Sequence, residues 1–421
     1  MKRLALLAAA AVVVVSASAQ GALKMTSPGS RGMDEEKLGQ VDRVIGEAIS
    51  DGTIPGAVIS VVRGSDIVYL KAYGNKSLVP SVEPMTTETM FDLASCSKCV
   101  GTTLSFMQLI ENGLVRLTDR VDMYIPGFKP WVDEATGEKV DITVRDLLTH
   151  SSGLDAYINV PSYVAEFGED TPDQLETFIA TRVGRNFRPG TQCLYSCLNF
   201  ITLQRILERL TGVKLYEYTQ RHVFDPLGLK HTCYFPLSPS LEPLQGVDYE
   251  ALRELCAPTE VQEDGLPLVA QVHDPMARRI NSGNSGNAGV FSNAEDLSVI
   301  CSAIMNGSVY SKKAVDGEHN LRVLGKETIR LMCEAPEQNA PEVGRALGWD
   351  KDGMNPGTRG DIFDWKTSIW HTGYTGPSIV IDMKTRTAVI LLTNRVHPED
   401  KGSLARLRAQ VSNIVAGAIN Y

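Results

Sequence analysis

Apolar residues recur at three- and four-residue intervals over 33–50 (Leu38, Val41, Val44, Ile45, Ala48), and again near the other end (Leu404, Leu407, Val411, Ile414, Val415). That spacing predicts two amphipathic helices. After the first, 52–56 turn the chain into two β-rich runs, 57–62 and 67–73, joined at Arg63-Gly64-Ser65-Asp66. A second apolar hairpin pairs 378–382 with 387–393 across Met383-Lys384-Thr385-Arg386. Helix and hairpin at each end predict one antiparallel sheet, flanked by the N- and C-terminal helices and built from both ends of the chain. From Ser97 to about Asp225 the pattern reads mostly as helices with long loops. The expected fold is α+β, with a mainly helical region, roughly 97–270, inserted in the sheet region and a cleft between the two.

The first nineteen residues stand apart. Lys2 and Arg3 precede an unbroken apolar run from Leu4 to Val15, and Ala17-Ser18-Ala19 comes next. A charged start, a short apolar run and a small-x-small site describe a cleavable secretory signal, cut after Ala19, rather than a membrane span. No Cys stands just after the cut, so no lipid or membrane anchor is expected. The mature protein is expected in the periplasm or outside the cell. Residues 20–32 read as a flexible leader and 33–421 as one domain.

Composition adds exclusions. With 43% apolar and 22% charged residues the chain is an ordinary globular one, and its net charge of −9 becomes −11 once Lys2 and Arg3 are removed. An acidic chain without basic clusters is not expected to bind nucleic acid or an anionic membrane. The eight cysteines have no zinc-ligand spacing. Buried free thiols are preferred for them, although Cys96, Cys99, Cys193 and Cys197 are placed to allow one local bridge.

Ser95-Cys96-Ser97-Lys98 is the stretch with the clearest chemistry. About seventeen residues of helical periodicity come after it, to Asn112-Gly113. On a helix, residues three apart share a face, so the Ser95 hydroxyl and Lys98 ammonium project together at a helix N-terminus, where negative charge is favoured. That is a way to activate a weak nucleophile. Tyr195, in Tyr195-Ser196-Cys197 at a loop-to-helix junction, could shuttle a proton if a Lys ammonium lies near its phenol. His371-Thr372-Gly373-Tyr374 precedes a strand-rich run. Thr372 and a polar neighbour could hold a carboxylate, and Gly373 would let the Tyr374 N–H face a reacting carbonyl. His150, in the loop 147–154, has no adjacent carboxylate and reads as a packed residue bonded to backbone.

Taken in order, Ser95-x-x-Lys98, Tyr195-Ser196-Cys197 and His371-Thr372-Gly373 resemble the three signature elements of the penicillin-recognising serine enzymes. The branch most similar holds the class C β-lactamases, the D-alanyl-D-alanine carboxypeptidases and related esterases. Further resemblance lies in 147–154, Phe224-Asp225-Pro226-Leu227-Gly228-Leu229, Gly286-Asn287-Ala288-Gly289-Val290-Phe291-Ser292 and Thr393-Asn394-Arg395, so it spans about 33–418. The resemblance implies Ser95 as nucleophile, Lys98 and Tyr195 as proton carriers, and the Ser95 and Tyr374 N–H groups as oxyanion hole. It also implies substrate contacts from His371, Thr372, Gly373 and Cys197, an acyl-enzyme, and neither metal nor organic cofactor.

Two positions depart from the pattern. Cys197 stands where lactamases and many carboxypeptidases of the family carry an amide-binding Asn, and Asn199 lies two residues on. His371 stands where most β-lactamases carry Lys. Both changes point away from an efficient β-lactamase and toward a D-alanyl-D-alanine carboxypeptidase-like cell-wall peptidase acting on a small molecule or peptidoglycan peptide. An esterase or class C-like β-lactamase is the alternative within the family. A non-catalytic binder of cell-wall peptides or penicillins is the alternative outside it. Asp274, before Pro275, reads first as a turn residue, and Arg395 as either a carboxylate ligand or a strand cap. The oligomeric state is left open.

Overall fold

A computed structural model describes residues 23–307, 309–310, 321–352 and 357–420; the expected signal, 1–19, lies outside the described residues. The central sheet contains β1 (Lys24–Met25), β2 (Gly56–Arg63), β3 (Asp66–Ser77), β4 (Glu83–Pro84), β5 (Ser368–Thr372), β6 (Ser378–Asp382) and β7 (Thr387–Leu392). Its order is β1-β3-β2-β7-β6-β5, with β4 added to β3. The two chain ends meet where β2 pairs antiparallel with β7, Val61 opposite Val389. The expected sheet is thus present, closed by long-range pairing of the two hairpins.

Both faces of this sheet are covered, which is why its strands read as near-continuous apolar runs. Side chains alternate across it. Ile59, Val61, Val380, Val389 and Leu391 pack outward against α1 (Glu35–Ser50) and the C-terminal helix (Ala405–Gly417). Val58, Val62, Ile379, Ile381, Ala388 and Ile390 face inward, into the large core shared with the helical region. Asp34 starts α1 by accepting the Lys37 N–H at 3.0 Å, with Glu35 and Glu36 in the first turn, where the helix dipole favours acids.

Two expectations need correction. Part of the leader 20–32 is built into the fold: Lys24 and Met25 pair parallel with Asp66 and Ile67, Leu23 is buried, and Arg31 forms an ion pair with Asp66. The helical region also extends past 270. The helix Ala294–Met305 lies directly under the sheet, where Ser298 meets Ser60 of β2 at 2.8 Å between hydroxyl oxygens. Among the described residues, no helix is long and apolar enough to cross a membrane.

Candidate active site

Ser95 sits where the sheet region meets the helical region. The segment before it, Phe91–Asp92, pairs with Val290–Ser292, itself paired to Cys233–Tyr234. Asp92 is buried, and its carboxylate accepts the Ala94 N–H at 2.8 Å and the His273 N–H at 2.7 Å. Burial pushes its pKa up, those two donors pulling against it. This clasp holds Ala94 at φ 44°, turning the chain so that Ser95 is left partly exposed.

The regular α-helix expected from Ser95 onward does not form. Ala94–Cys96 is a 3₁₀ turn, Lys98–Thr103 is wound as a π-helix, and only Leu104–Glu111 is α-helical. The wider winding fits the bonds made here, one within the segment and two to the distant 286–290 loop. Thr103 donates to the Lys98 carbonyl at 2.7 Å, Thr102 to the Gly286 carbonyl at 2.7 Å, and Ser97 accepts the Val290 N–H at 3.0 Å. π-winding of this kind often marks functional sites.

Even so, Ser95 and Lys98 face one another, as three-residue spacing requires. The Lys98 ammonium is fully buried and donates to Ser95 Oγ at 3.1 Å, the Asn287 carbonyl at 2.8 Å and Cys197 Sγ at 3.5 Å. Burial opposes its charge, but Cys197 and Tyr195 outweigh it and hold the Lys98 pKa above the ordinary value. Gly286 makes the approach of the Asn287 loop possible, since a Cβ there would lie 2.1 Å from the Phe200 carbonyl oxygen.

Tyr195 comes in from the opposite wall. It precedes the helix Cys197–Thr211, and its ring centroid lies 5.0 Å from Lys98 Nζ. Burial raises its pKa, while Lys98 and the Ser95 hydroxyl pull it down. His150 sets this segment. Its Nδ1 accepts the Ser196 N–H at 3.0 Å, its carbonyl accepts the Leu194 N–H at 3.0 Å, and its ring packs 4.3 Å from that of Tyr195. His150 is therefore bonded to backbone as expected, and it also positions Tyr195. Asn199 does not enter the cleft, because its amide bonds Ser152 at 2.6 Å and His150 at 3.2 Å.

The third element lies along the sheet edge. His371 and Thr372 are the last residues of β5 rather than a turn ahead of a strand. The His371 ring is buried and donates from Nδ1 to the Thr372 carbonyl at 2.9 Å. Burial first, then Arg345 and Lys98, drive its pKa well below the usual histidine range, so the ring is neutral. Arg408, from the C-terminal helix, clamps the next turn by donating to the carbonyls of Gly373 and Gly376 at 2.9 and 2.8 Å. Neither the Ser95 N–H nor the Tyr374 N–H has an acceptor among the described residues. Asp274 caps a helix by accepting the Ala277 N–H at 2.8 Å, and Arg395 pairs with Asp400 at 2.6 Å.

Two cavities open on Ser95. One of about 570 Å³ is lined by Tyr157, Cys197, Glu260, Asp274 and Asp400, among others; one of about 410 Å³ by His371, Thr372, Arg345, Arg395 and Arg408. Asp92 and Arg345 belong to no motif in the sequence, and no local pattern points to either. The eight thiols are all free, seven buried and Cys193 exposed. Among the described residues no group of three or more His, Cys, Asp or Glu side chains is arranged to hold a metal ion.

A sheet closed by both chain ends, with an inserted helical region and a Ser–Lys–Tyr cluster in the cleft, defines a class of serine hydrolases. The beta-lactamase family model matches residues 41–413, and the chain belongs to that family. An N-acetylmuramyl-L-alanine amidase of Bacillus subtilis (strain 168) is 31% identical over 386 residues, covering 86% of this chain and 82% of its own. An Escherichia coli (strain K12) protein named "Putative D-alanyl-D-alanine carboxypeptidase" is 31% identical over 401 residues, covering 91% and 88%. Among solved structures, "EstCE1, a hydrolase with promiscuous acyltransferase activity" superposes with a TM-score of 0.66 at 22% identity, covering 91% of this chain and 99% of its own. A penicillin-binding protein homologue from Pyrococcus abyssi gives 0.61 at 22% identity, covering 85% and 73%. Those two likenesses speak to fold alone.

Proposed function

We propose that this protein is an exported serine hydrolase that cleaves an amide or ester through an acyl-enzyme, acting as a D-alanyl-D-alanine carboxypeptidase-like cell-wall peptidase in the periplasm. The observation that carries the reading is the buried Lys98 ammonium, 3.1 Å from Ser95 Oγ and beneath Tyr195, at the junction of two cavities. The names of the relatives, a carboxypeptidase and an amidase, supply the substrate class.

At rest Lys98 carries its proton and Tyr195 is neutral. The reactive form is the one in which the Lys98–Tyr195 pair has lost one proton. As Ser95 Oγ bonds to the carbonyl carbon, its proton passes to that pair, and the new oxyanion faces the free Ser95 and Tyr374 N–H groups. The pair then protonates the departing nitrogen or oxygen as its bond to carbon breaks. Water attacks the acyl-enzyme, gives its proton to the same pair, and Ser95 leaves with a proton restored. Activity therefore rises with pH as the pair is deprotonated.

The test is intact mass spectrometry of the mature protein after incubation with a penicillin, beside Ser95→Ala, with a D-alanyl-D-alanine peptide as substrate. A one-penicillin adduct absent from the variant, slow to decay, together with release of D-alanine, is the expected result. Rapid drug turnover without peptide cleavage would replace the peptidase with a β-lactamase. An adduct and release that persist in Ser95→Ala would remove Ser95 from the chemistry.

A further inference from the structure

At the end of the sheet remote from Ser95, two hairpin turns and the N-terminal segment enclose a cavity of about 360 Å³. β6 joins the two regions: it leaves the 373–377 turn, whose Gly373 lines the Ser95 cleft, and ends at the 383–386 turn. The remote cavity is lined by three guanidinium groups, Arg31, Arg63 and Arg386, and by one carboxylate, Asp66. These cations are far apart along the chain, so the sequence shows no basic cluster. Closure of the sheet gathers them at one spot of a chain whose net charge is −9. Arg63 ends β2, Arg386 precedes β7, and Arg31 follows β1.

The protein's own groups do not use up this charge. Asp66 is taken by Arg31. Arg63 donates from Nη1 to Thr387 Oγ1 at 3.0 Å, and Arg386 from Nη2 to Asn306 Oδ1. Among the described residues the other guanidinium nitrogens of this pair have no partner. Arg386 is exposed and Arg63 half-buried, its open nitrogens reached by solvent. Burial lowers the Arg63 pKa; Asp382 opposes this and Arg386 adds to it, so the two guanidinium groups repel one another. Asp382 is itself engaged, accepting the Thr385 N–H at 2.8 Å and the hydroxyls of Thr385 and Ser368 at 2.6 and 3.1 Å. Arg386 lies across Gly64, where a Cβ would be 3.7 Å from its Nη2. Its own backbone is held at φ 52°, where Gly or Asn costs less. An anion in the cavity removes the repulsion.

We propose that this cavity is an anion site that binds a phosphate group, free or carried on a lipid headgroup. Arginine forks suit phosphate oxygens. The open edges come from two separate hairpins, with Arg31 on a third side. A tetrahedral group presents oxygens in several directions at once, whereas one planar carboxylate fills a single fork. Three guanidinium groups against one carboxylate leave an excess that a phosphate dianion neutralises. Occupied, the site leaves the Ser95 cleft open at the other end of β6. It stands whether or not Ser95 acts on peptides.

The test is equilibrium dialysis of the mature protein against radiolabelled inorganic phosphate at constant ionic strength. Saturable uptake, displaced by sulfate and not by acetate, is the expected result. Arg63→Gln and Arg386→Asn should each weaken it by about 10- to 100-fold, the range for a hydrogen bond to a charged group. Asn suits the backbone at 386, and neither residue lines a cavity at Ser95, so kcat/KM on an activated ester should keep its wild-type value in both. Lys384→Gln is the control. Lys384 is exposed in the same turn without lining the cavity, and its loss should change uptake by less than about threefold. Sedimentation with phosphatidylglycerol and with phosphatidylcholine vesicles separates the sources. Retention on phosphatidylglycerol alone, lost in both arginine variants, assigns the lipid headgroup; phosphate uptake without retention assigns a soluble phosphate. No saturable uptake by the wild type, uptake unchanged in both arginine variants, or an equal loss in Lys384→Gln would overturn the proposal.

Discussion

Gly373→Ala is the smallest change that should separate the two halves of the site. Gly373 comes directly after Thr372 at the end of β5, and a Cβ there would lie 2.4 Å from the carbonyl oxygen of Leu93, two residues before Ser95. That is roughly 1 Å short of an ordinary non-bonded contact. Neither neighbour yields easily: the Leu93 N–H is bonded to the Val290 carbonyl at 3.0 Å, and the Gly373 N–H to that of Pro377 at 2.8 Å. The methyl must therefore push β5 and the Ser95 turn apart. Overpacking of this kind costs about 1–3 kcal/mol of stability. A displacement of about 1 Å between nucleophile and binding groups costs about 100-fold in rate. The assay is kcat/KM on an activated ester together with thermal unfolding. Gly46→Ala serves as control, because Gly46 lies within α1 and a Cβ there meets nothing within 4 Å. The same chemical change at Gly46 should stabilise by about 0.5–1 kcal/mol and leave rate alone. A Gly373→Ala enzyme within threefold of wild type, with an unchanged melting temperature, would refute the reasoning.

Three further outcomes are expected. Lys98→Met removes the only ammonium bonded to Ser95 among the described residues and should lower kcat/KM on the same ester by about 10²–10⁴, the usual share of acid–base catalysis, while the circular dichroism spectrum is retained. Asp92→Ala strips the acceptor from two backbone N–H groups and should cost about 2–6 kcal/mol in denaturant unfolding, at about 1–3 kcal/mol for each buried group left unpaired. His150 and His371 are buried and neutral, with native pKa values well below the unfolded value of about 6.5. Their contribution is present above that value and is lost as pH falls from it toward the native pKa, at about 1.4 kcal/mol per pH unit for each ring. The stability difference between wild type and His371→Asn should therefore shrink between pH 6.5 and 5.5, and a difference independent of pH would mean that the ring takes up its proton in the native state as it does in the unfolded chain.

What could be read from the sequence was whatever depends on short-range spacing. Runs of apolar, β-branched residues broken by short turn segments placed both hairpins to within a few residues. Three-residue spacing placed Ser95 beside Lys98 even though no α-helix joins them, since Ser95 lies in a 3₁₀ turn that leads up to Lys98, and 3₁₀ winding also brings residues three apart to one side. The winding itself was not readable. It is imposed by Asp92 on Ala94 locally, and by Gly286 on Thr102 and Val290 on Ser97, distant contacts that no local pattern encodes. The helix Ala294–Met305 was illegible for a related reason. Eleven of its twelve residues are buried, so it has no polar face to create a periodic signal. Arg345 is the extreme case. In the sequence it is one charged residue before Ala346-Leu347-Gly348-Trp349, and its expected place would be in solvent. Only the closure of β5 against the helical region turns it inward, with its guanidinium carbon 5.6 Å from the Tyr195 ring centroid.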